Sequence, residues 1–294
     1  MSTSNVSEQA MLVSLHIGSY SGMMFDKAVS EEVNESFKAD RVNAGRYNKR
    51  LVATRFLTDV SSSHIAAKKV HKILTLPWTD DGTRIITNKA YTEYLKRMKD
   101  AKRKIEIEVD KFVAGLPEYI TEAKDRLGKM FDESDYPSTD EMKAKFKFDF
   151  EVSPVPLSGD FRVKLNEEDT KAIIRDIERR SKQRLDNAMN DIFQRVAEKV
   201  GKLAEKLREY QPSSDGAATK GRIHPNLVIG IYEFAEMMPI LNITDDPRIE
   251  ALRQQLLSEL AEESPELLRS DAKLRQQVLS KADKILKKVE SYMK

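Results

Sequence analysis

The chain has 294 residues, 33% of them charged and 40% hydrophobic, and its 50 basic and 48 acidic side chains leave a net charge of +2. A balance so even gives no global pull toward nucleic acid or membrane, and the surplus of charge over core points to solvated helices that bury only a stripe. Cysteine is absent, which excludes disulfides, thiolate catalysis and Cys-ligated zinc and fits a reducing compartment. The opening "MSTSNVSEQAMLVSLHIG" lacks the basic and long apolar regions of a signal peptide, and apolar runs such as 227–234 are too short to span a bilayer. A cytoplasmic protein without a membrane partner is expected.

Residues 1–9 are small and polar and read as a flexible tail. Met11, Val13, Leu15 and Ile17 alternate with neighbours such as Ser14 and His16, which predicts a strand over 10–17. Residues 26–58 read as helix interrupted near Gly45, and Ser61–Ser63 as the cap of a helix reaching about Leu74. "LPWTDDGTR", 76–84, reads as a loop. In 88–115, Tyr91, Tyr94, Met98, Ala101, Ile105 and Phe112 recur at helical spacing until Gly115-Leu116-Pro117 breaks the run. A further helix covers 117–131, and Ser138 or Thr139 caps a short one.

"FKFDFEVSPVPLSGDFRVKL", 146–165, is an island of alternation in a helical sequence. Pro154 and Pro156 interrupt a strand and Ser158-Gly159 turns it. The stretch predicts a β-hairpin whose phenylalanines cover a helix and which pairs with the 10–17 strand. The longest helical run is 167–210, about 66 Å at roughly 1.5 Å per residue. Ile173, Ile177, Leu185, Ile192, Val196, Val200, Leu203 and Leu207 form a narrow stripe along it, the pattern of a coiled-coil seam. Its simplest partner is the 88–115 helix; a second copy, giving a homo-oligomer, is the alternative. After a flexible loop at 211–223, residues 224–294 read as a C-terminal helical subdomain, with Asp245 or Asp246 capping a helix that starts at Pro247. The expected fold is mainly α: an elongated helical domain, 10–210, of long antiparallel, coiled-coil-like helices with a small β-hairpin or sheet element.

Signals for chemistry are few. "GAATKG", 216–221, lacks the Lys-Ser/Thr ending of a P-loop. His64 and His71 stand two helical turns apart, too far to grip one metal, and with His16 and His224 read as surface or capping residues. Asp80-Asp81 and Asp245-Asp246 read as caps rather than cation ligands. No catalytic constellation, metal site or cofactor motif is visible, so an enzyme is not expected. The strongest signals are two basic clusters: Lys96, Arg97, Lys99, Lys102, Arg103 and Lys104, and Arg175, Arg179, Arg180, Lys182 and Arg184. Such clusters suit phosphate backbones, although both lie among acids that pair with them at i,i+4 in a solvated helix face.

Four stretches, "SLHIGSYSG", "LPWTDDGTRIITNKAYTEYLKRM", "FDESDYPSTDEMKAKFKFDFEVSPVPLSGDFRV" and "MMPILNITDDPRIEALRQQL", together resemble a protein family of unknown function carried by bacteriophages and mobile elements. The resemblance runs from about 11 to 290 and is most specific at 136–163 and 241–247. It implies no catalytic residues. It implies a neighbourhood of MoxR-like AAA+ ATPases and von Willebrand factor A-domain proteins, and hence a partner of either kind. Two functions follow as expectations. One is a non-enzymatic phage-type helical scaffold or interaction protein acting through self-assembly or a partner ATPase. The other is a DNA-binding protein of phage replication, recombination or protection.

Overall fold

The structure, a computed structural model, describes residues 3–40, 44–157, 166–212 and 221–293. In chain order, α1 (Thr3–Gln9) leads into β1 (Ala10–Gly18), then β2 (Met23–Phe25), α2 (Lys27–Ser36) and β3 (Asn48–Arg50). A 3-10 turn, Thr54–Leu57, opens α3 (Thr58–Leu74), followed by β4 (Leu76–Pro77), β5 (Arg84–Thr87), α4 (Asn88–Ala114), α5 (Leu116–Leu127), α6 (Thr139–Ala144) and β6 (Lys147–Pro154). Next come α7 (Glu167–Glu209), α8 (Pro225–Leu241), α9 (Pro247–Leu256) with a π-helical turn at Leu257–Ala261, α10 (Pro265–Ser270) and α11 (Ala272–Tyr292). The fold is mainly α with a small antiparallel sheet, as expected; the strand order is β4-β5-β1-β6, and β2 and β3 form a separate pair.

The chain divides into two compact units, and the division differs from the expected one. Unit one comprises Met1–Ser14, Lys72–Thr92 and Val152–Lys294. Unit two comprises Leu15–His71 and Glu93–Glu151. The C-terminal helices are therefore no separate subdomain; they belong with α7.

Unit one is built on α7. Asn166 caps it by accepting from the Asp169 amide at 2.8 Å, acids fill its first turn, and Lys206 and Arg208 sit in its last, all favourable to the helix dipole. Leu185, Ala188, Ile192, Val196, Val200, Leu203 and Leu207 are all buried. They pack against α11, whose Val278, Ala282, Ile285 and Val289 repeat every three or four residues, and against α8 through Val228, Ile231 and Met238. The expected partner, the 88–115 helix, is thus replaced by helices from the C-terminus. The reason is that α11 and α8 offer stripes of matching period, while α4 spends its own stripe in unit two. The seam does not run the full length: Ile173 and Ile177 are only half-buried, and the first buried residue is Ser181.

The expected flexible tail is helix α1, which docks Val6, 2% exposed, into the same core. The expected 76–84 loop holds a short hairpin with Leu76 opposite Ile85 and Pro77 opposite Arg84, and β5 pairs in turn with β1, Ala10 opposite Thr87. Buried Thr75 is held by two arginines: Arg84 donates to its hydroxyl at 2.6 Å and to its carbonyl at 2.9 Å, and Arg195 of α7 donates to its carbonyl at 2.8 Å. Asp191 holds Arg195 at 2.6 Å.

In unit two, Leu51, Val52, Leu57, Val60 and Ala67 pack with Ile105, Val109, Phe112 and Leu116 of α4 and α5, and with Met142. Of the helix expected over 26–58 with a break near Gly45, α2 forms at Lys27–Ser36, while strand β3 and the 3-10 turn Thr54–Leu57 follow the break. Ser61–Ser63 lie inside α3, whose start is set by the preceding 3-10 turn rather than by a serine cap. Ser138 does cap α6, and Glu141 returns the bond in a capping box. Phe146 and Phe148 of the expected hairpin cover the core, with Phe146 5.5 Å from Phe112 and Tyr94 edge-on to Phe150 at 5.7 Å. The β6 strand covers the first arm of the expected hairpin; the stretch 158–165, expected to hold the turn and second arm, lies outside the described residues.

Because the α7 stripe is buried within one chain, Ile192→Glu with Leu203→Glu should prevent unit one from folding rather than dissolve an assembly. Circular dichroism should show loss of helix and of the cooperative thermal transition. A variant that kept its wild-type melting curve would contradict the packing.

Candidate interaction surfaces

The residues of the first basic cluster are all exposed on α4, opposite Tyr94, Met98 and Ile105, which are 0–3% exposed. Arg97 pairs with Glu93 at 2.6 Å and Arg103 with Asp100 at 2.9 Å. The Arg97 hydrogen bond, with its charge, holds the Glu93 carboxyl below 4.5. The second cluster, on α7, is more neutralised. Arg179 and Arg180 share Asp176, each at 2.6 Å, and the Arg179 bond leads in holding that carboxyl below 3.8. Arg175 donates to the Lys171 carbonyl, Arg184 is half-buried and acts electrostatically on Asp81, and Lys182 is exposed.

Two histidines depart from expectation. His64 and His71 are buried on one face of α3, 5% and 7% exposed. His71 Nδ1 lies 2.9 Å from the Tyr94 hydroxyl. His64 Nε2 has no hydrogen-bond partner, and burial, with Lys68 nearby, holds its pKa below 6.5. One acid of each pair binds a backbone amide, as read from sequence: Asp81 accepts from the Thr83 amide at 3.0 Å and Asp246 from the Arg248 amide at 2.9 Å. Among the described residues no group of three His, Asp or Glu could hold a metal ion, and no helix is long and apolar enough to cross a membrane. The 216–221 stretch falls almost wholly outside the described residues.

The feature that sequence reasoning missed is an apolar surface on unit two. Met23, Met24, Phe25, Val33, Phe37 and Tyr47 are 36–79% exposed, with Phe37 the extreme. Val33 on α2 and Phe37 at its C-cap stand one turn apart, and Val33 and Tyr47 line a surface hollow of about 200 Å³ with Ser30, Asn34 and Ala44. Arg46 lies over the Phe25 ring at 5.6 Å. Helix α2 is inside-out: it exposes Val33 and Phe37 and buries Ser30 and Asn34. Ser30 is held inward by its bonds: its Oγ donates to the Asp26 carbonyl at 2.6 Å and accepts from the Tyr47 amide at 2.9 Å, while the backbone carbonyl of Asn34 accepts from the Ala39 amide at 2.8 Å. A stripe of Val33 and Phe37 three residues from Ser30 and Asn34 was the available signal.

Beneath this surface lies a buried charge clamp. Lys49, 6% exposed, reaches Asp135 at 2.5 Å, Asp26 at 3.3 Å and the Met130 carbonyl at 3.2 Å. The Val29 amide is the chief cause holding the Asp26 carboxyl below 3.8, with Lys49 adding to it. Burial pulls the Lys49 ammonium down, but its bonds to Asp135 and Asp26 outweigh this and leave it above 10.5. The clamp positions β3 against the turn before α2 and the segment after α5.

Set against models of protein families, curated proteins and solved structures, the chain finds no match.

Lys49→Met should destabilise unit two by about 3–5 kcal/mol, the cost of leaving buried carboxylates unpaired, measured by urea unfolding. Adding Asp26→Asn and Asp135→Asn should recover most of that loss. The pH window follows from the two shifts. Asp26 is depressed, so its contribution is present above 3.8 and lost as pH falls through its folded value. Lys49 is raised, so its contribution is present below 10.5 and lost as pH climbs through its folded value.

Proposed function

We propose that this protein is a non-enzymatic helical scaffold that works by binding proteins, first of all a second copy of itself. The observation that carries the reading is the exposed apolar surface of unit two, centred on Phe25, Val33 and Phe37. Large apolar side chains exposed in number on neighbouring elements mark interaction sites. Methionines such as Met23 and Met24 adapt to a partner's shape. The β2 strand is also short and wholly exposed, with no charge or proline among Met23, Met24 and Phe25 to guard its edge. A strand of that kind accepts an antiparallel copy of itself about a two-fold axis. The net charge of +2 sets up little repulsion between copies.

The α7 seam, for which a second copy was the alternative partner, does not enter the reading, because unit one uses it internally. The resemblance to the mobile-element family adds a second class of partner, a MoxR-like AAA+ ATPase or a von Willebrand factor A-domain protein.

Sedimentation velocity over a concentration series tests the self-assembly. The wild-type mass should rise to a multiple of one chain. Phe25→Ser with Phe37→Ser should hold it at one chain with an unchanged melting temperature, since both side chains already face solvent. A wild-type protein that stays monomeric at every concentration overturns self-assembly through this surface.

A further inference from the structure

Residues 93–104 of α4 carry a second surface, independent of the apolar one. Residues 93–104 hold six basic side chains against two acids, Glu93 and Asp100, a net of +4 in a chain whose total is +2, so the remainder of the chain is net negative. With 3.6 residues per turn, Lys96, Lys99 and Arg103 fall within one narrow arc of the solvent side, and Lys102 and Lys104 flank it. Among the described residues, the ion pairs of this stretch occupy Arg97 and Arg103 and leave Lys96, Lys99, Lys102 and Lys104 without a carboxylate within 4 Å. The basic face ends abruptly. Beyond Ile105 the same helix carries Glu106, Glu108 and Asp110, with Asp110 held by Lys143 at 2.5 Å.

We propose that this face binds double-stranded nucleic acid through its phosphates, without reading base sequence. Charge complementarity selects a polyanion, and spacing selects a duplex. Lys96 and Lys104 stand about 12 Å apart along the axis at about 1.5 Å per residue, close to the roughly 12 Å width of the DNA major groove. The lysines at the two ends therefore reach phosphates on both strands. Single-strand binders depend on stacking aromatics, and the only ring in 93–104, Tyr94, is 0% exposed. No Asn or Gln occurs in 93–104 to pair with adenine, and both arginines are tied to acids of their own helix. The unpaired cations are lysines, which act on phosphate as point charges. The α7 cluster does not share the role, because Asp176 occupies both Arg179 and Arg180.

The test is fluorescence anisotropy with the full chain. The probes are a labelled mixed-sequence duplex and a single strand of equal length, titrated over a salt series. With four lysine–phosphate contacts, log K should fall with log salt at a slope of about −3.6, roughly a hundredfold over a fourfold rise in salt. In Lys96→Gln, Lys99→Gln, Lys102→Gln, Lys104→Gln the slope should collapse toward zero with an unchanged melting curve. Arg175→Gln with Arg179→Gln and Arg180→Gln should keep the wild-type slope, as should Phe25→Ser with Phe37→Ser, which separates this surface from the apolar one. Absence of duplex binding at low salt overturns the proposal. So does an unchanged slope in the lysine variant, or tighter binding of the single strand at every salt.

Discussion

A 43-residue helix with one apolar stripe is stable in water only when that stripe is covered, and here α11 and α8 cover it. Each Leu, Ile or Val so buried contributes about 1.5–3 kcal/mol, so the stripe from Leu185 to Leu207 is a large store of stability in unit one. Everything else in that unit is arranged around it. Val6 from the first helix, Leu12 from β1, Trp78 and Ile85 from the short hairpin and Val155 all join the same core. The start, middle and end of the chain thus depend on one helix, and the cost is that this helix has no seam left to offer a partner.

Unit two runs on a different principle. Its α2 helix turns polar residues inward and apolar ones outward, the reverse of an ordinary surface helix. Burying Ser30 and the charges of Asp26, Lys49 and Asp135 would be expensive if any one lacked a partner. Each is bonded, so the network holds as a set and pins β3 and the start of α2 in place. With the inward face taken by polar bonds, Val33 and Phe37 have only the outer face left. The exposed apolar surface is a consequence of the polar interior.

The two surfaces of unit two differ in physics. The apolar one, centred on Phe25 and Phe37, gains from removing area from water and is nearly indifferent to salt. The basic face of α4 gains from releasing counterions and weakens steeply with salt. The contrast between the two basic clusters shows that counting cations is not enough. The placement of Glu93 and Asp100 leaves four lysines of α4 unpaired, whereas Asp176 alone absorbs two arginines of α7.

What the sequence determined by itself was local. The helices over 88–114 and 167–209, the Ser138 cap, the Pro247 start and the alternation at 146–152 rest on residues within about one turn of one another, so spacing alone revealed them. The basic clusters were visible for the same reason. The tertiary structure decided which stripe covers α7, why Lys49 is buried, why α2 is inside-out and why Ser61–Ser63 cap nothing. Those outcomes depend on residues far apart in the chain: Leu203 and Ile285, Lys49 and Asp135, Arg195 and Thr75. An apolar stripe states that it must be buried; only the packed chain settles against what.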